Sequence, residues 1–177
     1  WLCFAALLRE SNPPARAAAG NTHSVFIDGE GRLSSCGSAP SSAPQGLLGH
    51  GEGVARLNAP TRLPSTSLGG ERAVSVSAAT AHSLAITAGG AVWSWGWGGN
   101  GRLGHGDEQN QLLPKKVEAL AGQRVVAVSS GECHSIVITA SGPVVSWGEG
   151  RRGCLGHGED LSNQLLPKKI EAWAPGQ

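Results

Sequence analysis

Short apolar runs with loose alternation recur along the chain, each bounded by small or turn-forming residues. Val125-Val-Ala-Val-Ser129 is rich in β-branched side chains, the pattern of a strand. Ser130-Gly131 opens a link, and His134-Ser-Ile-Val-Ile-Thr139 reads as a second strand. Ala140-Ser-Gly142 makes a short glycine turn of the hairpin kind, so Pro143-Val-Val-Ser-Trp147-Gly148 reads as a third. A glycine-rich loop fills 149–158. Pro167-Lys-Lys-Ile-Glu-Ala172 then reads as a fourth strand with Pro at its first position, where a missing N–H costs least. No stretch keeps a 3.6-residue period beyond ten residues, which predicts an all-β chain.

The same series of signals occurs earlier. Val74-Ser-Val-Ser-Ala-Ala-Thr-Ala-His82-Ser-Leu-Ala-Ile-Thr87 matches Val126–Thr139 at an offset of 52. Ser94-Trp95-Gly96 matches Ser146-Trp147-Gly148, and Leu103-Gly-His105-Gly106 matches Leu155-Gly-His157-Gly158, at the same offset. Asn110-Gln-Leu-Leu-Pro114-Lys-Lys matches Asn163-Gln-Leu-Leu-Pro167-Lys-Lys at 53, one residue having entered the loop between, where insertions cost little. A worn first copy holds His23-Ser24, Ser35-Cys36-Gly37 in place of Ser-Trp-Gly, and Leu48-Gly-His50-Gly51. A loop insertion over 38–45 lengthens its spacing to 59. The units fall at 17–68, 69–121 and 122–177, after a remnant at 1–16 whose apolar start reads as a cut strand or helix.

Four strands in about 52 residues is the period of a propeller blade. One such sheet cannot bury both faces alone, so neighbours must stack. Trp95 and Trp147 suit the junctions, each able to bury ~150–250 Å².

Composition adds limits. Gly 27 and Pro 10 supply the turns, and 40% hydrophobic residues supply a core. A net charge of +1 gives no global basic field, so direct nucleic-acid binding is not expected. No apolar run reaches the ~18 residues of a membrane span. Cys3, Cys36, Cys133 and Cys154 form no CxxC pair and have no histidine at zinc spacing, which predicts free, mostly buried thiols in a reducing compartment. A chain that starts at Trp1 and holds no Met is expected to be a fragment, a processed chain or the product of a truncated gene.

In combination, Val92-Trp-Ser-Trp-Gly96, Gly101-Arg-Leu-Gly-His-Gly106 and Ser130-Gly-Glu-Cys-His-Ser-Ile-Val-Ile-Thr139 resemble repeats of the regulator of chromosome condensation family. The resemblance runs from about Ala17 to Glu171. It implies a seven-bladed β-propeller of four-stranded antiparallel blades, of which about three are present, too few to close the ring. It also implies a non-catalytic scaffold that binds a protein partner through its loop rims, in the cytoplasm and/or nucleus. The partners implied are small GTPases, chromatin or ubiquitin-pathway proteins. Nucleotide exchange on a Ran-type GTPase is the alternative. A third is light sensing, as in the family's plant ultraviolet-B photoreceptor. Its sensing tryptophans lie in Gly-Trp-Arg-His-Thr segments, and the matching positions before His82 and His134 hold no Trp.

The candidate chemistry is sparse. His23, His82 and His134 precede Ser at strand starts, and read as buried rings bonded to nearby backbone rather than as metal or catalytic groups. His50, His105 and His157 read as turn residues, because no phosphate-loop pattern opens a helix there. Trp93, Trp95 and Trp97 alternate and would share one face of a strand, close enough to Arg102 for a cation–π contact. Arg102, Arg151 and Arg152 in the loops, with Lys115, Lys116, Lys168 and Lys169 on the fourth strands, are the candidate partner surface. No nucleophile–base set, paired carboxylates or metal cluster emerges, so no catalytic residue, cofactor or metal is expected.

Overall fold

The computed structural model describes residues 16–39 and 46–171. The remnant at 1–16, apart from Arg16, and most of the insertion at 38–45 lie outside them. Alternating, turn-punctuated segments give twelve strands and two single-turn 3-10 helices. Strands β1 (Ala17–Ala19), β2 (His23–Ile27), β3 (Leu33–Ser38) and β4 (Arg56–Arg62) form one sheet. Strands β5 (Ala73–Ala78), β6 (His82–Thr87), β7 (Val92–Gly96) and β8 (Gln111–Lys116) form the second. Strands β9 (Val125–Ser130), β10 (His134–Thr139), β11 (Val144–Gly148) and β12 (Gln164–Lys169) form the third. Each is an antiparallel meander, paired in chain order. Among the described residues no helix is long and apolar enough to cross a membrane.

The fourth strands correct the expected boundary. They begin three residues before the proline, so Pro114 and Pro167 stand inside β8 and β12. The proline is tolerated because these strands pair on one side only, at the sheet edge.

The core lies between sheets. Val25, Ile27, Leu33 and Leu63 of the first sheet meet Ala73, Val76, Ala85 and Trp95 of the second. At the next junction Leu84, Ile86, Val92 and Val117 meet Val125, Val137, Val145 and Trp147. Both tryptophans are fully buried. At ~25 cal/mol per Å², each contributes about 4–6 kcal/mol of burial before ordering costs. The meander places every first-to-second and third-to-fourth connection at one end of the sheets, here the upper end. The hairpin turns and sheet-to-sheet links lie at the lower end.

Candidate functional site

Successive strand residues face opposite sides of a sheet, so a His-Ser pair at a strand start aims its two side chains at different neighbours. His23 faces the second sheet and meets Ser83 there, Nε2 to Oγ 2.7 Å. His82 faces the third and meets Ser135, Nε2 to Oγ 3.0 Å. The ring nitrogens therefore bond the next sheet rather than the local backbone expected from sequence.

The second junction fixes the tautomer. Ser135 donates its hydroxyl proton to the Arg102 carbonyl at 2.9 Å, so its oxygen accepts from His82 Nε2–H. The same carbonyl accepts the Trp147 indole N–H at 2.8 Å. His82 Nδ1 is buried without a partner among the described residues, so protonating it would strand a charge in a dry site. Burial holds the His82 pKa down to about 3, and the nearby Arg102 charge adds to the effect. Burial takes His23 to about 4.

Of the other four, His134 is half-buried and its ring has no hydrogen bond among the described residues, unlike the buried, bonded ring expected, whereas His50, His105 and His157 pin the upper loops. Ser35, Ser94 and Ser146 on the third strands donate to the carbonyls of Leu48, Leu103 and Leu155. Their oxygens lie 3.1, 2.9 and 3.1 Å from Nε2 of His50, His105 and His157. Burial lowers all three pKa values, that of His105 to about 4. Gly49 and Gly104 in these loops have φ of 76° and 78°. A Cβ there would come within 2.9 Å of Trp95 Nε1 and 2.8 Å of Trp147 Nε1, so each loop closes over the tryptophan of the following sheet.

Arg102 does not lie on the candidate surface. It is 1% exposed, where its counterparts are Leu47 and Cys154. Its Nε donates to the Gly99 carbonyl at 2.8 Å and its Nη1 to the carbonyl of Glu132, in the link between β9 and β10, at 2.9 Å. The guanidinium carbon lies 4.0 Å from the Trp97 ring centroid. Trp97 itself lies past the end of β7 and is exposed, so the tryptophan triplet does not share one strand face as expected.

The remaining candidate cations are at the surface. Arg151 pairs with Glu149, Lys168 with Asp160 at 2.6 Å, and Lys169 with Glu171 at 3.2 Å. Lys115, Lys116 and Arg152 have no ion-pair partner among the described residues. Against the expected burial, Cys36 and Cys133 are only half-buried free thiols, and Cys154 is an exposed one. The described residues hold no group of three His, Cys, Asp or Glu placed to bind a metal.

Three meander sheets joined through repeated His–Ser and Trp contacts define a β-propeller repeat protein with about three blades present. The chain belongs to the regulator of chromosome condensation (RCC1) repeat family, whose repeat models match residues 89–138 and 141–174, and 73–102 and 125–154. The 89–138 unit starts in the turn before β7 and ends in β10, so one sequence unit straddles two blades. The human E3 ubiquitin-protein ligase HERC2 is 42% identical over 157 residues, 86% of this chain and 3% of the ligase. The ultraviolet-B receptor UVR8 of Arabidopsis thaliana is 38% identical over 71% of this chain and 28% of the receptor. Among solved structures, human WBSCR16 superposes over 89% of this chain and 37% of its own, with a TM-score of 0.75 and 26% identity. Yeast RCC1 (Prp20) bound to Kap60 shares the fold over 88% of this chain and 36% of its own, with a TM-score of 0.73 and 24% identity. The chain thus spans a small part of these relatives.

Proposed function

We propose that the chain is a non-catalytic protein-binding segment that presents its partner surface on the blade exteriors. The observation behind this reading is the use of the repeated polar groups. Five of the six histidines are hydrogen-bonded into the scaffold, and Arg102 is buried in it. The exposed charges are left as the chemistry a partner can meet. Lys115 and Lys116, with Lys168 and Lys169 one blade on, form a ridge on neighbouring outer strands, and Arg151 and Arg152 stand in an upper loop. In a reducing intracellular compartment the thiols would stay free.

Small GTPases, chromatin and ubiquitin-pathway proteins are the partners to try first. Among the structural neighbours, Prp20p of Saccharomyces cerevisiae has binding properties toward Gsp1p and histones. The decisive experiment mixes the chain with purified Ran-type GTPase loaded with fluorescent GDP, with nucleosome cores and with ubiquitin-pathway proteins. Binding and nucleotide release are followed together. Saturable binding that falls in a Lys115→Glu, Lys116→Glu, Lys168→Glu, Lys169→Glu variant, with release unchanged, supports the reading. Accelerated release would make the chain an exchange factor instead. Absence of binding to all three classes would remove the proposal.

A further inference from the structure

The net charge of +1 conceals a sorting of charge between the two ends of the blades. Among the described residues the lower end, with the last residues of the outer strands, carries nine basic and five acidic side chains, net +4. The upper end carries four basic and seven acidic ones, net −3. Opposite faces therefore present opposite fields, and a ligand is selected by the face it meets.

The basic end is also shaped. A slot of about 430 Å³ opens beneath the junction of the first and second blades, with Arg62, Arg72 and the ion-paired Arg32 and Glu30 in its walls and Leu33, Leu63 and Leu68 at its base. A second, of about 310 Å³, lies next to it, with Lys116 and Arg124 in the walls and Val92, Val117 and Leu120 at the base. The two correspond residue for residue: Lys116 ends β8 as Arg62 ends β4, and Arg124 precedes β9 as Arg72 precedes β5. Arg62 lies 3.5 Å from Asp28, whereas Arg72, Lys116 and Arg124 have no ion-pair partner among the described residues. Glu71 lines both slots, and its counterpart is Gln123.

We propose that these paired slots bind an extended acidic peptide segment of a partner protein. Apolar side chains of the peptide enter the slot bases, and carboxylates meet Arg72 and Arg124 one blade apart. A cationic wall above an apolar base favours a peptide, because a nucleic-acid backbone supplies phosphates but no aliphatic side chain to fill it. This rests on the reading of the chain as a binding module, and it names the partner's chemistry and a face distinct from the upper loops.

The test is fluorescence polarisation of the full chain with a labelled dodecapeptide of Asp, Leu and Ser. Its Asn-for-Asp counterpart and a short DNA duplex serve as competing probes. The acidic peptide should bind saturably, and more weakly as salt rises. Arg72→Ser with Arg124→Ser should weaken it about tenfold or more, and so should the Asn peptide. Glu71→Gln should tighten it about twofold by removing a like charge, a gain that mere loss of structure would not give. Arg56→Ser, at the other end, should leave it unchanged. No saturable binding, indifference to the arginine pair, or DNA bound as tightly through the same residues would each overturn the proposal. If the peptide fails while the purified partners still bind, the slot assignment falls and the module reading stands.

Discussion

Strands β6 and β10 have almost the same sequence, His82-Ser-Leu-Ala-Ile-Thr87 and His134-Ser-Ile-Val-Ile-Thr139, yet different surroundings. All six residues of β6 are buried. In β10 burial alternates, and Ile138 is 41% exposed where Ile86 is 2%. The difference is the neighbour, since the third sheet covers β6 and no described sheet covers the matching face of β10. A blade therefore supplies half of a core, and stability is carried by junctions more than by sheets. The two closed junctions differ as well. At the second, the Arg102 carbonyl accepts from both Ser135 and Trp147. At the first, Trp95 Nε1 is buried without an acceptor among the described residues.

Removing the indole that closes the second junction should have the largest effect. Trp147→Ala should cost about 3–5 kcal/mol, seen as a fall in the urea midpoint. Ile86→Ala should follow at about 2–5 kcal/mol, while Ile138→Ala at the matching site should stay within about 0.5 kcal/mol. Equal losses at the two isoleucines would remove the idea that the neighbour sets their worth.

Acid should open the closed junctions next. His23 and His82 have folded pKa values below the ordinary 6.5, so the folded form resists protonation that the unfolded chain accepts. Their contribution is complete above about pH 6.5 and declines as pH falls toward about 4 for His23 and about 3 for His82. Each uncharged ring costs about 1.4 kcal/mol per pH unit across that window. Urea midpoints measured from pH 7 to 5 should fall accordingly, and His82→Leu should flatten the slope by about one proton. A slope unchanged by that substitution would show that the acid loss comes from elsewhere.

The blades were legible because their signals are local and repeated: β-branched runs, glycine turns and a fixed period identify three sheets and their order. Trp95 and Trp147 could be placed at junctions by size alone. The partner of each histidine was not legible, since the Ser that it meets lies 60 residues away from His23 and 53 from His82. The adjacent Ser24 and Ser83 gave a signal that could have found it, because side chains next to each other on a strand must face different neighbours. Arg102 misled for a related reason. Arginine in a glycine-rich loop reads as surface, but this loop closes over the tryptophan of the next blade and turns its guanidinium to carbonyls and to Trp97. The slots at the lower end were invisible as well, because Arg72 joins Arg62, and Arg124 joins Lys116, only after the sheets are stacked.

The smallest effect discriminates best between the two closed junctions. Ser135→Ala removes the acceptor of His82 Nε2–H and one of two donors to the Arg102 carbonyl, so two buried groups lose a bond. Ser83→Ala removes only the contact to His23. Each should destabilise the fold, the first by about 1–3 kcal/mol and the second by about 1 kcal/mol less. Adding His82→Leu to Ser135→Ala removes the stranded donor together with its lost partner, so the double variant should be less destabilised than the sum by about 1 kcal/mol. A cycle with no coupling would mean that the imidazole and the hydroxyl act as separate fillers of the junction, and the His–Ser pairing would then owe its repetition to shape alone.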